Sequence, residues 1–414
     1  MFDIDRWQEI FEAIGKNKLR TFLTGLSVAS GIFILVILLG FSSGIQKGVK
    51  TQFEQDAVNR VSVSTRVTTK EYKGLNPGRR IQLHNDDFSQ INNTYDDQLE
   101  YKTALYSTWS SQVTYGSETG SYRLEGANPD QQFIENASLV SGRFLSQDDM
   151  DETRKVAVIG NIIKQDLFKE KNPIGEIISI FGVNFKVIGV YTDPGGAWEE
   201  RRVFVPLPTA QIAFNGGDRV RYLAYTVKMH DDFDQAVALS TALSQNIKQD
   251  LQSKYIIAPD DRGAVRIDNT LEEARKIYSL IDIIRNVFWF IGIGTIIAGV
   301  VGVSNIMLII VKERTKEIGI RKAIGALPSS IIGLILQESI FITSIAGFIG
   351  LFLGVGLLQI ISPMIDNDFI KSPQVDFNTA ITTVFILIFS GALAGYFPAR
   401  RAANIKPVDA LRDE

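Results

Sequence analysis

The 414 residues contain two histidines, His84 and His230, and no cysteine. That excludes thiol nucleophiles, disulfides and cysteine-ligated zinc or iron–sulfur sites, and neither a His-Glu-x-x-His pair nor a nucleophile elbow occurs. Four acidic pairs, Asp86-Asp87, Asp148-Asp149, Asp231-Asp232 and Asp260-Asp261, are of a type that does acid–base chemistry. The first three stand at the start of segments that read as helices, where carboxylates satisfy free backbone N–H groups, so their expected work is capping. The one Gly-Lys dipeptide, Gly15-Lys16, has Ile10 where a Walker A loop needs its first glycine. These residues predict a chain that is not an enzyme and that binds no cofactor or metal of its own.

The elements that carry such groups are set by hydropathy. The mean hydropathy is near zero, but it averages over very uneven segments. Charge-free runs cover Thr21 to Gln46, the stretch from Arg285 to Lys312, Ile331 to about Ile361 with only Glu338 inside it, and Phe377 to Ala399. Each is long enough to cross a hydrocarbon core of roughly 30 Å. The first run lacks a cleavage pattern and is expected to remain as an anchor. A net charge of -3 argues against a nucleic-acid partner, and 21% charged residues with abundant aromatics argue against disorder.

Lysine and arginine close to the spans set the orientation. Arg6, Lys16, Lys18 and Arg20 precede the first span; Lys312, Arg314, Lys316, Arg321 and Lys322 lie between the second and third; Arg400, Arg401, Lys406 and Arg412 follow the fourth. Both termini are therefore expected in the cytoplasm. The predicted organisation is a cytoplasmic amphipathic helix at 1–20, transmembrane helices at 21–46, 286–311, 330–361 and 377–399, an external domain at 47–283, a cytoplasmic loop at 312–329, a short external loop at 362–376 and a tail at 400–414. Trp7, Ile10, Phe11 and Ile14 form an apolar face beside Arg6 and Lys16, predicting a membrane-interface anchor. Gly40-x-x-x-Gly44, Gly294-x-x-x-Ala298-x-x-x-Gly302, Gly350-x-x-x-Gly354 and Gly391-x-x-x-Gly395 suit close packing of helices within the chain.

The external segment reads as α+β. Val58 to Thr69 and Tyr222 to Lys228 have strand character, and Asp232 to Gln252 has an amphipathic helical pattern. This predicts a split strand-helix-strand subdomain at 58–129 and 215–265. Short strands at 155–160, 177–180 and 185–190, separated by Gly, Pro and Asn turns, predict a β-rich insert at 130–214. Leu271, Ala274, Ile277, Tyr278, Ile281 and Ile284 form a helical stripe that predicts a stalk at 268–285 running into the second span. The expected fold class is a polytopic α-helical membrane protein with four transmembrane helices and a large α+β extracytoplasmic domain.

The cytoplasmic loop reads Val311-Lys-Glu-Arg-Thr-Lys-Glu-Ile-Gly-Ile-Arg-Lys-Ala-Ile-Gly-Ala326, followed by Gln337-Glu338-Ser339, and the tail reads Phe397-Pro-Ala-Arg-Arg-Ala-Ala-Asn-Ile-Lys-Pro-Val-Asp-Ala-Leu-Arg412. These resemble the permease domain of the MacB and FtsX-like branch of ABC transporters. Asn17 to Thr24 is similar to the family's entry into the first helix. Ser141-Gly-Arg-Phe144, Asn172-Pro-Ile-Gly175, Val187-Ile-Gly-Val190 and Val205-Pro-Leu-Pro208 are similar to its periplasmic core domain.

The resemblance implies a permease subunit of a MacB-like export system in the bacterial inner membrane, with the large domain, including a porter-like part, in the periplasm. It implies a dimer with itself or a homologous permease, a separate ABC ATPase subunit that uses ATP and Mg, a periplasmic adaptor and an outer-membrane channel. Glu313, Arg314, Glu317, Ile318, Arg321 and Lys322 match the family's ATPase-coupling loop, where alternating charges make charge-assisted contacts. Two other functions share the architecture: FtsX-like mechanotransmission to an envelope partner, and lipoprotein release from the inner membrane.

Overall fold

A computed structural model describes residues 18–53, 57–229, 232–365, 367, 370–375 and 377–412. Trp7, Ile10, Phe11 and Ile14, with most of the expected amphipathic helix at 1–20, lie outside the described residues, as does His230. The chain forms two compact units: Thr51–Ile277, and a second made of the segments before and after it.

The second unit is helical. Helix α1 (Lys18–Phe53) precedes the external segment, α4 (Thr270–Glu313) follows it, and α6 (Pro328–Ile365) and α7 (Phe377–Ala403) complete the set. Among the described residues these are the four helices long and apolar enough to cross a membrane. Their shared core holds Ile32, Leu35 and Val36 of α1, Val303 and Met307 of α4, and Leu387 and Ala394 of α7. Phe290, Phe352 and Phe385 point outward and are about as exposed as surface lysines would be in a soluble protein, with relative exposures of 81%, 79% and 69%. An apolar exterior of this kind suits lipid. Small residues set the helix spacing: a Cβ on Gly350 would overlap the Ala29 carbonyl, and one on Gly347 would overlap Leu387. Of the small-residue repeats, Gly350 and Gly354 meet α1 and Gly391 and Gly395 meet α6, whereas nothing lies within 4 Å of a Cβ built on Gly294 or Gly302.

Among the described residues, the external unit is built on one ten-stranded sheet with a small two-stranded companion. Its strands are β1 (Arg60–Thr65), β3 (Leu99–Tyr115), β4 (Glu118–Ala127), β5 (Ser138–Gly142), β6 (Val156–Gly160), β7 (Ile177–Ile180), β8 (Val183–Thr192), β9 (Arg202–Pro206), β11 (Tyr222–Val227) and β12 (Val265–Asn269), while β2 (Leu83–His84) pairs with β10 (Arg219–Val220). The main order is β12-β1-β11-β3-β4-β9-β6-β8-β5, with β7 beside β3 and β8. Pairing is antiparallel except for β4 with β9 and β6 with β8. Helices α2 (Asn85–Tyr95) and α3 (Phe233–Lys254) cover one part of it, with Ile91, Leu243 and Ile247 packed on Val61, Val63 and Leu223.

Long strand β3 ties the halves together. Its first residues pair with β11 and its last with β4 and β7. The expected division into a split subdomain and an insert therefore does not interrupt the hydrogen-bonded sheet, because β3 belongs to the first and β7 and β9 to the second.

The acidic pairs do structural work. Asp87 accepts from the His84 backbone N–H at 2.8 Å and Asp232 from that of Asp234 at 2.9 Å, both at helix starts. Asp149 is fully buried, accepts from the Ser146 N–H and forms a two-pronged pair with Arg143 at 2.6 and 2.9 Å. Asp261 accepts from the backbone of Thr69 and Gly263, closing the loop after β1 onto the segment before β12. His84 Nδ1 lies 3.4 Å from the Tyr255 hydroxyl.

Candidate functional site

Helix α4 ends at Glu313, and Arg314, at φ -95° and ψ 13°, turns the chain into the short helix α5 (Thr315–Ala323). The end of α5 follows from its sequence. Gly325 has φ 104°, its N–H donates to the Lys322 carbonyl at 3.1 Å, and the Ala326 N–H donates to the Arg321 carbonyl at 3.0 Å. This is the Schellman arrangement, in which a left-handed residue lets the last carbonyls find donors. Pro328 then opens α6, a position where its missing N–H has no helical partner to lose.

Three connections hold α5 against its own unit. Arg314 Nη1 lies 3.4 Å from Glu338 Oε2, and Glu338, on the third turn of α6, is almost wholly buried. Lys322 Nζ donates to the carbonyls of Ala403 and Ile405, each at 2.7 Å, so a cation closes the C-terminal end of α7. Gly319 faces Ala410 of α8 (Pro407–Arg412) so closely that a Cβ there would overlap the Ala410 methyl. Between α4, α5 and α6 lies a pocket of about 60 Å³, lined by Met307, Ile310, Arg314, Ile318, Ile335 and Glu338 among others.

The six loop residues singled out in the sequence therefore divide. Ile318 is buried in the helical core, where its side chain packs within the chain. Arg314 and Lys322 also reach inward. Glu313 and Glu317 are exposed, and Glu317 Oε1 accepts from Arg321 Nη2 at 2.9 Å. Beside them Ile320, Ile324 and Leu327 are exposed, at 45%, 83% and 69%. The loop motif alone does not single out Ile324 or Leu327. Their signal was available: both adjoin the Gly325 turn, where the helical pattern stops and apolar side chains have no core face to join.

Among the described residues no group of three or more His, Cys, Asp or Glu side chains stands where it could hold a metal ion. The loop and tail motifs, some 80 residues apart in sequence, thus form one packed structure of α5, α8 and the cytoplasm-predicted ends of the spans. A family model for the MacB-like periplasmic core domain matches residues 21–243, more than half of the chain, and one for the FtsX-like permease C-terminal region matches residues 289–407. The chain belongs to the MacB-like, FtsX-like permease family. It is an ABC transporter permease, a membrane protein with an extracytoplasmic domain.

This MacB-like permease is 28% identical over 417 residues to the macrolide export ATP-binding/permease protein MacB of Bdellovibrio bacteriovorus, covering 99% of this chain and 62% of that protein. It is 30% identical to the protein of that name from Aggregatibacter actinomycetemcomitans, covering 100% and 62%. The chain thus spans about three-fifths of the length of the curated relatives it matches. The crystal structure of the periplasmic region of MacB from Actinobacillus actinomycetemcomitans aligns with a TM-score of 0.44 at 20% identity, covering 56% of this chain and 97% of that one.

Proposed function

We propose that the chain is the permease subunit of a MacB-like ABC export system, in which an ABC ATPase, using ATP and Mg, drives movement of the extracytoplasmic domain and extrusion of substrate. The observation that carries this reading is the set of bonds on α5. A short surface helix that follows α4 directly, salt-bridges to α6, caps α7 and packs on α8 cannot shift without moving three spans. The outward residues on it and beside it, Glu313, Glu317, Arg321, Ile320, Ile324 and Leu327, combine charge with exposed apolar area, the composition of a protein contact. These residues form the ATPase-coupling surface in this reading.

The protein then sits in the inner membrane with both termini and α5 in the cytoplasm and the 47–283 region in the periplasm. It works as a dimer with itself or a homologous permease, together with a periplasmic adaptor and outer-membrane channel. Trp7, Ile10, Phe11 and Ile14 rest at the membrane surface. The basic loop and tail around α5 and α8 support this orientation through the distribution of Lys and Arg.

The test uses the surface ion pair. Exchanging the charges, Glu317→Arg with Arg321→Glu, keeps the i,i+4 pair and the helix but reverses the pattern presented outward. Crosslinked affinity purification from native membranes should recover an ABC ATPase with the parent chain and at least about tenfold less with the exchanged one, a loss the size of one charge-assisted contact. Equal recovery would remove α5 from the coupling surface, and recovery of no ATPase with either chain would remove the export reading itself.

A further inference from the structure

The external unit holds a cavity of about 820 Å³ whose lining includes seven arginines and only three carboxylates, in a chain whose net charge is -3. Strand register builds its floor. Along β1, Val61 and Val63 enter the core while Arg60 and Ser62 take the other face, opposite Thr226 and Ala224 of β11. On the parallel neighbours β4 and β9, Arg123 stands beside Arg202. Side-by-side cations of this kind are unfavourable unless something neutralises them.

For the inner layer the protein does so itself. Arg202, more than nine-tenths buried, lies 3.2 Å from Glu135 and 3.6 Å from Glu125, and also meets Glu199. Arg123 pairs with Glu125 at 2.8 Å and Arg60 with Glu135 at 3.4 Å. Burial pushes the Glu125 carboxyl up, whereas Glu135, equally buried, is held down by Arg60 and Arg202. Three arginines and three glutamates make this layer close to neutral, and the carboxylates fix the guanidinium planes.

The outer layer is built differently. Arg66, Arg80, Arg219 and Arg221 line the same cavity and are exposed. The one further lining carboxylate, Asp268, holds Arg266 at 2.8 Å. Arg66 and Arg80 make no side-chain hydrogen bond or ion pair with any described residue, and Arg219 donates to the carbonyls of Asn215 and Gly216. Partial burial, and then the neighbouring Arg123, hold the Arg221 guanidinium below its usual value. Ser62, Ser107 and Tyr222 add hydroxyls, and Ile81 and Val220 are the only aliphatic side chains in the lining.

Guanidinium forks match pairs of oxyanion oxygens, and the volume falls within the range of small-molecule sites. A polar wall carrying seven guanidinium groups, of which Arg66 and Arg80 meet no carboxylate among the described residues, disfavours a greasy ligand and favours one carrying more charge than a single carboxylate. We propose that this cleft is a binding site for a multiply charged, phosphate-bearing ligand, gripped by Arg66, Arg80, Arg219 and Arg221 over the floor that Arg60, Arg123 and Arg202 form.

The test is titration calorimetry of the purified full chain in detergent with inorganic tripolyphosphate, so it needs no ATPase and stands apart from the transport reading. Saturable binding that weakens with added salt is expected, unchanged in Lys186→Ala, an exposed cation outside the cleft, and at least about tenfold weaker in Arg66→Ala/Arg80→Ala. The single charge reversal Arg80→Glu, on an exposed side chain, should show the same loss if the double variant folds poorly. No saturable binding, or parent-like binding by both variants, would overturn the proposal. Displacement by a short-chain phosphatidic acid and not by glycerol phosphate assigns a lipid headgroup, and displacement by both assigns a soluble phosphoester. Displacement by neither also overturns it.

Discussion

Removing the Glu338 carboxylate would take from Arg314 its buried acid and leave it only the exposed Glu317, 4.0 Å away. Breaking one side of such a pair costs more than deleting both, because the surviving charge keeps its desolvation penalty. Glu338→Leu is therefore expected to destabilise the protein by about 2–3 kcal/mol, and Arg314→Met with Glu338→Leu to recover much of that loss, read as thermal unfolding in detergent. A double variant no more stable than the single one would mean that the pair is not what holds α5. Asp149 makes a prediction in pH. Burial alone would raise its carboxyl, but hydrogen bonds from Arg143 and Ser146 outweigh it and set the pKa at about 2. An unfolded aspartate titrates near ~3.9, so Asp149 contributes its full stability above about pH 5 and loses it as the pH falls through 4 toward 2. The unfolding midpoints of parent and Asp149→Asn should differ by a constant amount near neutrality and converge below pH 4; a constant gap down to pH 2 would refute the assignment. At this scale the sequence was only half legible. That Asp87 and Asp232 cap helices followed from local spacing, but that Arg314 and Lys322 turn inward depends on α6 and α7, which no pattern within the loop reports.

Helices behave differently from strands in what their residues announce. The spans could be read because lipid demands about twenty apolar residues without charge, and the short strands at 156–160 and 177–180 because Gly, Pro and Asn mark their ends. The β3–β4 hairpin escaped notice. Its Ser107-Thr-Trp-Ser-Ser111 stretch lacks clean alternation, and the pairing register shifts there between Thr108 and Ser111, so the period of two that signals a strand is lost where the bulge falls. Glycine repeats were visible as sequence, yet which ones matter depends on the neighbour. Gly350→Val would drive a side chain into the Ala29 carbonyl, and we expect it to separate α1 from α6 at a cost of about 2–3 kcal/mol, typical of overpacking. Gly356→Val, on the same helix with nothing within 4 Å, should leave thermal stability within about 0.5 kcal/mol of the parent. Equal effects at both positions would mean that backbone propensity, not close approach, governs the repeat.

Movement between the two units has two covalent routes, because the chain passes between them once near Lys50 and once near Ile277. The second route is α4, one unbroken helix from Thr270 to Glu313, with its first turns packed through Leu271 on Ala236 and Val237 and its last residue adjoining Arg314 and α5. If α4 carries displacement, its stiffness matters more than any contact it makes. Ile283→Pro places a proline in the helix interior, removing one backbone hydrogen bond and kinking the axis at a cost of ~3 kcal/mol, while Ile283→Ala loses only an exposed side chain. The absence of cysteine supplies a direct readout: Trp198→Cys, at an exposed position of the external unit, can carry a single fluorophore. With the ATPase bound, ATP is expected to change the fluorescence in the parent and in Ile283→Ala, and to change it at least about tenfold less in Ile283→Pro, with ATPase binding retained. A full signal from the proline variant would exclude α4 as the transmitting element and leave α1 to carry the motion; loss of both signal and ATPase binding would place the defect at α5 instead.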